Sequence, residues 1–303
     1  MPLDTTKPFT HRAARQAGIA RHRLASPQFS RLARGVYVDA SVTLDGSTWA
    51  RAALLSARGE ASVSHHTAAA LWGGVVPHTD KLHLSVPRGV RRAARDDVVV
   101  HASSRTPTVF RGLRTTGADD TFLDLARSLG LVDLVVLGDS LVRRRRTTPE
   151  KLVQAAGTAS GRGVALARRA ATLVRPGVDS PMEIRCRLLR VLAGLPELET
   201  DIRFHDDRGT LTRRLDAGDR RTRTGVEYDG RHHVRREEKW EDDIGRREEF
   251  EDQDWRIVTL VSRDVFVTPA RTVERLRRIL SARGMTVGPP RHEWLRHFPG
   301  RDH

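Results

Sequence analysis

Apolar and polar positions follow their clearest pattern in the last third of the chain. Ser180, Pro181 and Glu183 form an N-cap, a proline at the first helical position and a capping-box glutamate. The apolar residues that follow have helical spacing, so the pattern predicts a helix from Pro181 to Ala193. Three short segments with strand-like alternation come next, separated by turn-rich DRG and GDRR. They are TDIRFHD, TLTRRLDAG and RTGVEYDG.

A second helix, a strand and a third helix complete this pattern. A charged helical stretch is predicted over residues 235–252, followed by the mostly apolar strand WRIVTLVS and a closing helix from Pro269 to Ala282. The segment RPGVDSP concentrates turn-forming residues just before the first helix, so we expect a domain to begin near residue 176. Its predicted element order is α-β-β-β-α-β-α.

The N-terminal residues have a different pattern. A short helix is predicted to begin after Thr10 and to end at Gly18, and a second helical segment opens at Ile19. SPQFSRLARGVYV then predicts a short helix that runs into a strand near Gly35. Two short helices around a glycine turn, followed by a β-wing, are the order of a winged helix-turn-helix. The candidate DNA contacts are Arg21, His22, Arg23, Arg31 and Arg34, the first three at the start of the recognition helix.

The middle of the chain alternates helical and strand-like segments, which predicts a mixed α/β region. His65 and His66 follow Ser64 at a predicted helix start, where a structural or capping role is favoured over catalysis or metal binding. The fold class is therefore a multidomain α/β (α+β) protein. Its predicted parts are a winged helix-turn-helix at residues 1–45, an α/β region at 46–175, an α-β-β-β-α-β domain at 176–285 and a basic tail at 286–303.

Charge and cysteine content narrow the classes of partner and compartment. The formal net charge of +15 favours a polyanion such as DNA, although an Arg-rich composition is also typical of a GC-rich genome. Residues 201–260 depart from this balance, with 14 Lys and Arg against 17 Asp and Glu. Cys186 is the only cysteine, which excludes an internal disulfide and a thiolate zinc cluster. With no apolar run long enough for a membrane span, we expect a cytoplasmic protein.

Three carboxylates of the acidic block are the candidate chemical site. Glu227 and Asp229 share one face of a predicted strand because side chains alternate. If the preceding strand forms a hairpin with it that turns near residues 219–221, Asp216 lies close to opposite Gly225 and diagonal to Glu227. Crowded carboxylates need a cation, and hard oxygen ligands select Mg²⁺ or Mn²⁺. The sequence therefore predicts a metal site at one end of a small sheet.

A metal held there suits hydrolysis of a nucleic-acid backbone. Mg²⁺ can polarise a phosphodiester and supply hydroxide from bound water. His232 and His233 follow Asp229 on the next predicted loop, and either could move a proton to the leaving oxygen or from the attacking water. For each acid taken alone a turn-forming role is favoured, so the interpretation as a metal site depends on their joint occurrence.

At these residues the chain resembles the PD-(D/E)XK nuclease superfamily, in the branch similar to very-short-patch repair (Vsr-like) endonucleases. The resemblance covers roughly 100 residues, including VEYDGRHH and DWRIVTL, and implies an α-β-β-β-α-β core in which Asp216 and Glu227 match the acidic positions. The superfamily pattern has a Lys two residues after the second acid, where this chain has Asp229. The Vsr-like branch tends to rely on the following loop histidine instead. Glu183 matches a helix acid that some members use for metal, and its capping box is the alternative explanation.

The N-terminal half resembles the antitoxin component (AbiEi-like) of abortive-infection toxin–antitoxin systems. The resemblance rests on THRAARQAGIARHRLASPQFSRLARGVYV, VSHHTAAALWG, LHLSVPRG, VVVHAS and TFLDLA, and it covers about residues 5–170. It implies a winged-helix DNA-binding domain, an α/β domain, a repressor role and a possible toxin partner.

Two functions therefore stand as hypotheses. The first is a DNA-binding protein with a Mg²⁺-dependent endonuclease-like domain that hydrolyses DNA phosphodiesters. The second is an AbiEi-like antitoxin or transcriptional regulator whose nuclease-like domain is catalytically inactive. The arrangement of Asp216 and Glu227 in the folded protein distinguishes the two.

Overall fold

The chain folds into two compact units, residues 1–174 and residues 175–303. The computed structural model describes residues 3–57, 59–90, 95–206, 208–230, 250 and 252–301. Helices and sheets occur in both units, which confirms the predicted mixed α/β class. The predicted boundaries at residues 45 and 285 stay predictions. In the part of the chain that the structure describes, no helix has the length and apolar character needed to cross a membrane.

Unit 1 begins with two short helices and an antiparallel sheet of order β1-β3-β2. Its elements are β1 (Phe9–Thr10), α1 (His11–Gln16), α2 (Arg21–Leu24), β2 (Phe29–Ala33) and β3 (Val36–Asp39). The Thr10 side chain caps α1 by accepting a hydrogen bond from the Ala13 amide. The two short helices were predicted, but the helix predicted within SPQFSRLA is wrong. That segment forms β2, because Phe29 packs edge-to-face on Phe9 and Gly35, with a φ of 77°, closes a tight turn into β3.

The rest of unit 1 combines a five-stranded sheet with helices. The elements are α3 (Gly46–Ser56), β4 (Ser62–Val63), α4 (His65–Trp72), β5 (Leu82–Pro87), β6 (Val98–Ser103), β7 (Thr108–Phe110), β8 (Leu113–Thr115), α5 (Ala118–Leu125), α6 (Leu131–Arg143), α7 (Pro149–Thr158) and α8 (Val164–Leu173). The strand order is β6-β5-β4-β8-β7, with β5/β6 and β4/β8 parallel. Val63, Leu84 and Val98 lie in a core that includes apolar residues of α3 and α4. The side chains on the other face of β5, including that of Ser85, lie outside this core and form a polar face.

Unit 2 places one long helix beside a four-stranded sheet of order β12-β11-β10-β9. Its elements are α9 (Pro181–Leu192), β9 (Glu199–His205), β10 (Leu211–Asp219), β11 (Thr224–Tyr228), β12 (Arg256–Leu260), α10 (Ser262–Phe266), α11 (Pro269–Ala282) and a 3₁₀ turn (Glu293–Arg296). The predictions of α9, the four strands and α11 are confirmed, whereas α10 was not predicted. The helix predicted over residues 235–252 lies almost entirely outside the described residues.

An aromatic cluster holds the sheet of unit 2 together. Ile202 and Leu215 are fully buried against Phe250 and Trp255, with Phe204 packed edge-to-face on Trp255 at 5.2 Å between ring centroids. Burying aromatic rings of this size contributes several kcal/mol in order of magnitude. β10 and β11, which carry the candidate carboxylates, are therefore part of a packed sheet.

Candidate functional site

The N-terminus of α9 is built by the cap that the sequence indicates. The Ser180 hydroxyl accepts a hydrogen bond from the Glu183 amide at 3.2 Å, and Pro181 occupies the first helical turn. The Glu183 carboxylate accepts from the Asp179 amide at 3.0 Å, one residue before the predicted partner. Glu183 thus stabilises the helix start and, at the same time, lines the cleft beside the sheet.

The hairpin register differs from the predicted one. Gly218, and not Asp216, lies opposite Gly225. The turn is longer than predicted, because Asp219 pairs with Thr224 and its carboxylate accepts a hydrogen bond from the Thr222 amide at 2.7 Å. Continued by two residues, this register puts Asp216 directly across from Glu227, where Cβ atoms are typically about 4.5–5.5 Å apart.

Asp216 and Glu227 line one cleft between α9 and the sheet. The cleft is narrow, with a cavity volume of about 10 Å³, and both carboxyl-bearing residues are half-buried. Asp216 Oδ2 accepts a hydrogen bond from the Tyr228 amide at 2.8 Å, which ties this carboxylate to the end of β11. Asp229 does not line the cleft. Its backbone amide donates to the Leu260 carbonyl at 2.8 Å, which continues the ladder to β12.

Two arginines of α9 bring buried positive charge to the same cleft. Arg187 and Arg190 are 2% and 1% exposed, and both line it. Burial lowers the pKa of Arg190 to about 10, because a guanidinium loses hydration in the interior. Within the described residues, Arg190 Nε and Nη1 have no hydrogen-bond partner. Since an unsatisfied buried donor is costly, these two nitrogens favour a hydrogen-bond acceptor in the cleft.

The pKa of the Cys186 thiol depends on its burial and on the charged residues around it. Burial raises its pKa to about 12, with further contributions in the same direction from Asp216, Asp264 and Glu183, while Arg190 opposes them. Cys186 is therefore a protonated, unreactive thiol at physiological pH. The carboxylate of Asp216 on β10 is therefore close enough to α9 to affect the pKa of a side chain on that helix.

The side chains that line the cleft can be compared with the ligands that Mg²⁺ prefers. Among the described residues, no group of three His, Cys, Asp or Glu side chains is arranged to hold a metal. Mg²⁺ commonly binds through one or two protein carboxylates and keeps several waters, so the pair Asp216 and Glu227 fits its chemistry. His232 and His233, the predicted proton shuttles, lie outside the described residues.

The five predicted DNA contacts lie on the surface of unit 1. Arg21, His22 and Arg23 form most of α2 and are exposed, as are Arg31 on β2 and Arg34 at the turn into β3. The structure therefore brings all five to solvent on neighbouring elements. Exposed arginines can contact phosphates without a desolvation penalty.

Four histidines form a cluster that the sequence did not indicate as a group. His65 and His66 start α4, whereas His83 and His101 lie on the neighbouring parallel strands β5 and β6. His83 Nδ1 lies 3.0 Å from His101 Nε2, and the ring of His101 stacks on that of His65 at 3.5 Å. The Ser64 hydroxyl lies 3.1 Å from His65 Nδ1, and the Ser64 side chain makes no cap hydrogen bond at the start of α4.

Burial favours the neutral form of three histidines of the cluster, His65, His66 and His83. Burial lowers the pKa of His65 to about 2, with smaller contributions from His101, His83, His66 and Arg127. Burial also lowers the pKa of His83 to about 4. Protonation is unfavourable in the folded protein because the imidazolium loses hydration and would meet other cations.

We expect unit 1 to lose stability as the pH falls below 6.5. The unfolded chain binds a proton on His65 at its ordinary pKa of 6.5, whereas the folded chain does not until about pH 2. The free energy of unfolding then falls by about 1.4 kcal/mol per pH unit for such a histidine. His65→Asn should flatten this dependence between pH 6.5 and 4.5, and asparagine tolerates the left-handed φ of 49° at this position.

Hydrogen exchange of peptides from α4 and β5, corrected for the intrinsic rate at each pH, measures this slope. His78→Asn is the matched control because the side chain of His78 is 88% exposed. An unchanged slope in His65→Asn would contradict the assignment.

Sequence reasoning missed Arg187 and Arg190, although a signal was present. With Glu183 they follow the spacing i, i+4, i+7, which places all three on one face of a helix. The histidine cluster had no comparable signal, since it depends on the pairing of β5 with β6. Strand pairing between distant segments is not visible in local periodicity.

Comparisons with known proteins do not identify a family. No family model and no curated protein matches the chain. Among solved structures, the chain is similar to the RV2827C protein from Mycobacterium tuberculosis, with 14% sequence identity and a TM-score of 0.35 over 60% of this chain and 76% of that one. A similarity of this size carries no argument about the function of the chain.

Proposed function

We propose that this chain binds DNA and cleaves its phosphodiester bonds in the cleft between α9, β10 and β11, with Mg²⁺ or Mn²⁺ as cofactor. The observation that carries the proposal is the meeting of Asp216 and Glu227 on adjacent strands of one cleft. Mg²⁺ commonly binds proteins through one or two carboxylates, and these two line the same cleft. The buried guanidinium of Arg190 in the same cleft favours an anionic substrate.

The chain's own residues have distinct roles in this proposal. Asp216 and Glu227 hold the metal, while the hydrogen bond from the Tyr228 amide orients Asp216. Mg²⁺ supplies charge stabilisation for the phosphodiester and activates a water. Glu183 is a further candidate ligand at the cleft, and Asp229 follows β11 one residue beyond its end. A PD-(D/E)XK, Vsr-like core is the fold that this element order supports.

The DNA-binding part of the proposal rests on the N-terminal residues. The order β1-α1-α2-β2-β3 supports a winged helix-turn-helix in which α2 is the recognition helix and the β2–β3 hairpin is the wing. Arg21 and Arg23 on α2, with Arg31 and Arg34 on the wing, supply exposed cations for phosphate contacts. Such contacts position a protein on DNA without specifying a sequence.

We expect supercoiled plasmid to be nicked in Mg²⁺ or Mn²⁺ and to stay intact when a chelator is present. The physical reason is that the proposed reaction needs a divalent cation to polarise the phosphodiester and to activate a water. Conversion of supercoiled to open-circular DNA on an agarose gel measures the reaction. Cleavage of equal rate in chelator would contradict the metal requirement, and intact DNA under every condition would favour the second candidate below.

The second candidate is a transcriptional regulator or antitoxin whose cleft is catalytically inactive. The observation in its favour is that Asp216 already has a structural role as acceptor for the Tyr228 amide, while Asp229 lies outside the cleft. This candidate requires sequence-selective binding that does not depend on Mg²⁺. The resemblance of the N-terminal half to AbiEi-like antitoxins is the reason for expecting a toxin partner.

A further inference from the structure

A groove of about 380 Å³ lies on the polar face of the five-stranded sheet in unit 1. Ser62, Ser85 and Ser103 come from three neighbouring strands, β4, β5 and β6. Arg88 and Arg114 line the same groove. The groove is thus lined by hydroxyl and guanidinium groups, which are donors suited to an oxyanion, together with one carboxylate, that of Glu60.

The strand register explains why the serines meet. Ser62 pairs directly with Ser85 across the antiparallel strands β4 and β5, so their side chains share one face. Ser103 of the parallel strand β6 pairs with Pro87 of β5. Pro87 follows Ser85 by two residues, so Ser103 lies on the same face of the sheet as Ser85. Ser85 also lies across from His101, so the groove adjoins the histidine cluster.

The hydroxyl of Ser85 lacks the partner that a buried polar group normally has. Ser85 is 3% exposed, and its Oγ makes no hydrogen bond within the described residues. An unsatisfied buried hydroxyl costs about 1–3 kcal/mol, which a ligand in the groove would recover. The hydroxyl belongs to a residue that lines the groove.

The arginines of the groove differ in how far they are already neutralised. Arg105 is held by Asp120 and by Asp124, with 2.8 Å from its Nε to Asp124 Oδ1. Arg114 Nη2 lies 4.0 Å from the exposed carboxylate of Glu60, a distance too long for a hydrogen bond. Arg114 is half exposed and Arg88 is exposed at the end of β5, so both can turn toward an anion.

We propose that this groove binds a phosphate group through the Ser85 hydroxyl and the guanidinium groups of Arg88 and Arg114. Phosphate offers several oxygens that accept charge-assisted hydrogen bonds at once, and guanidinium groups match its geometry. The phosphate could belong to inorganic phosphate or to a nucleoside monophosphate, which share this chemistry. The site lies in unit 1 and does not depend on cleavage at Asp216 and Glu227.

Titration of the full chain with inorganic phosphate, at ionic strength held constant with sodium chloride, tests the proposal by calorimetry. We expect saturable binding, and we expect Ser85→Ala, Arg88→Gln and Arg114→Gln each to raise Kd roughly tenfold or more. The matched controls Ser128→Ala and Arg162→Gln change exposed residues of unit 1 outside the groove and should leave Kd unchanged.

The variants also separate binding from folding. Ser85→Ala removes a hydroxyl without a partner, so we expect no fall in its Tm. If Ser85→Ala is unfolded, Arg88→Gln and Arg114→Gln still test the proposal, because both arginines are exposed. Undetectable binding, or binding that the controls weaken as much as the groove variants do, overturns the proposal.

Adenosine 5′-monophosphate and adenosine identify the source of the phosphate. Tighter binding of the monophosphate than of inorganic phosphate indicates a nucleotide site, and equal affinity indicates a site for the phosphate itself. Adenosine that binds as tightly as its monophosphate contradicts recognition of phosphate.

Discussion

Asp216→Asn and Glu227→Gln are each expected to lower the rate of Mg²⁺-dependent DNA cleavage by at least about a hundredfold, since the metal's charge stabilisation is worth several kcal/mol. A carboxamide is neutral and binds Mg²⁺ weakly, so the loss follows from loss of the cation. Asparagine keeps an oxygen that can accept the hydrogen bond from the Tyr228 amide, so the end of β11 should stay in place. Binding of DNA should be unchanged or tighter, because one negative charge is removed from the cleft.

The controls for this experiment separate catalysis from stability. Glu274→Gln removes a carboxylate from the exposed side of α11 and should cleave at the parent rate. We expect the Tm of each variant, measured by thermal unfolding, to match that of the parent protein, since the sheet stays folded. Cleavage that survives in the double variant Asp216→Asn/Glu227→Gln would show that another site of the chain, or a contaminant, performs the reaction.

Replacing Arg21, Arg23 and Arg31 together by Gln is expected to weaken binding to duplex DNA roughly tenfold or more. Each phosphate contact contributes a slope of about −0.9 to the dependence of log Kobs on log salt, so the triple variant should lower that slope by about 2 to 3. The three side chains are exposed, so the free energy of unfolding should change by less than about 1 kcal/mol. Fluorescence anisotropy with a labelled duplex across a salt series measures both quantities.

A charge-matched control distinguishes a binding face from the basic character of the whole chain. Replacing the exposed Arg162, Arg278 and Arg296 by Gln removes the same net charge elsewhere. If this control weakens binding as much as the first triple variant does, the N-terminal elements are not the binding face. Selective binding of one duplex sequence in chelator, without cleavage in metal, would support the regulator and not the nuclease.

Local signals in the sequence were sufficient for the elements of unit 2. Ser180 and Pro181 determine the start of α9 because each acts on the backbone within one helical turn. The strands were readable because alternation and turn residues recur over a few positions. The helix predicted within residues 26–33 was wrong because no local signal determines the structure of this segment. It forms the strand β2 through pairing with β3 and through the contact of Phe29 with Phe9.

The candidate site was predictable in its residues but not in its geometry. Asp216 and Glu227 were identified from their types and order, and the structure places them in one cleft. Their register was wrong by two positions, because the length of the turn depends on the hydrogen bonds of Asp219 with Thr222. The cations of the cleft were missed, since an arginine on a helix is ordinarily a solvated side chain.

The sequence by itself determined the mixed α/β class, the limits of α9, β9 to β12 and α11, and the acidic residues of the cleft. Those features depend on interactions within a turn or on alternation along one strand. Only the tertiary structure decided that Arg190 is buried beside the cleft, that four histidines form a cluster, and that Ser62 meets Ser85 in a groove. Each of these depends on which distant segments pair and pack, and the free energy of that packing comes from buried area that no single segment possesses.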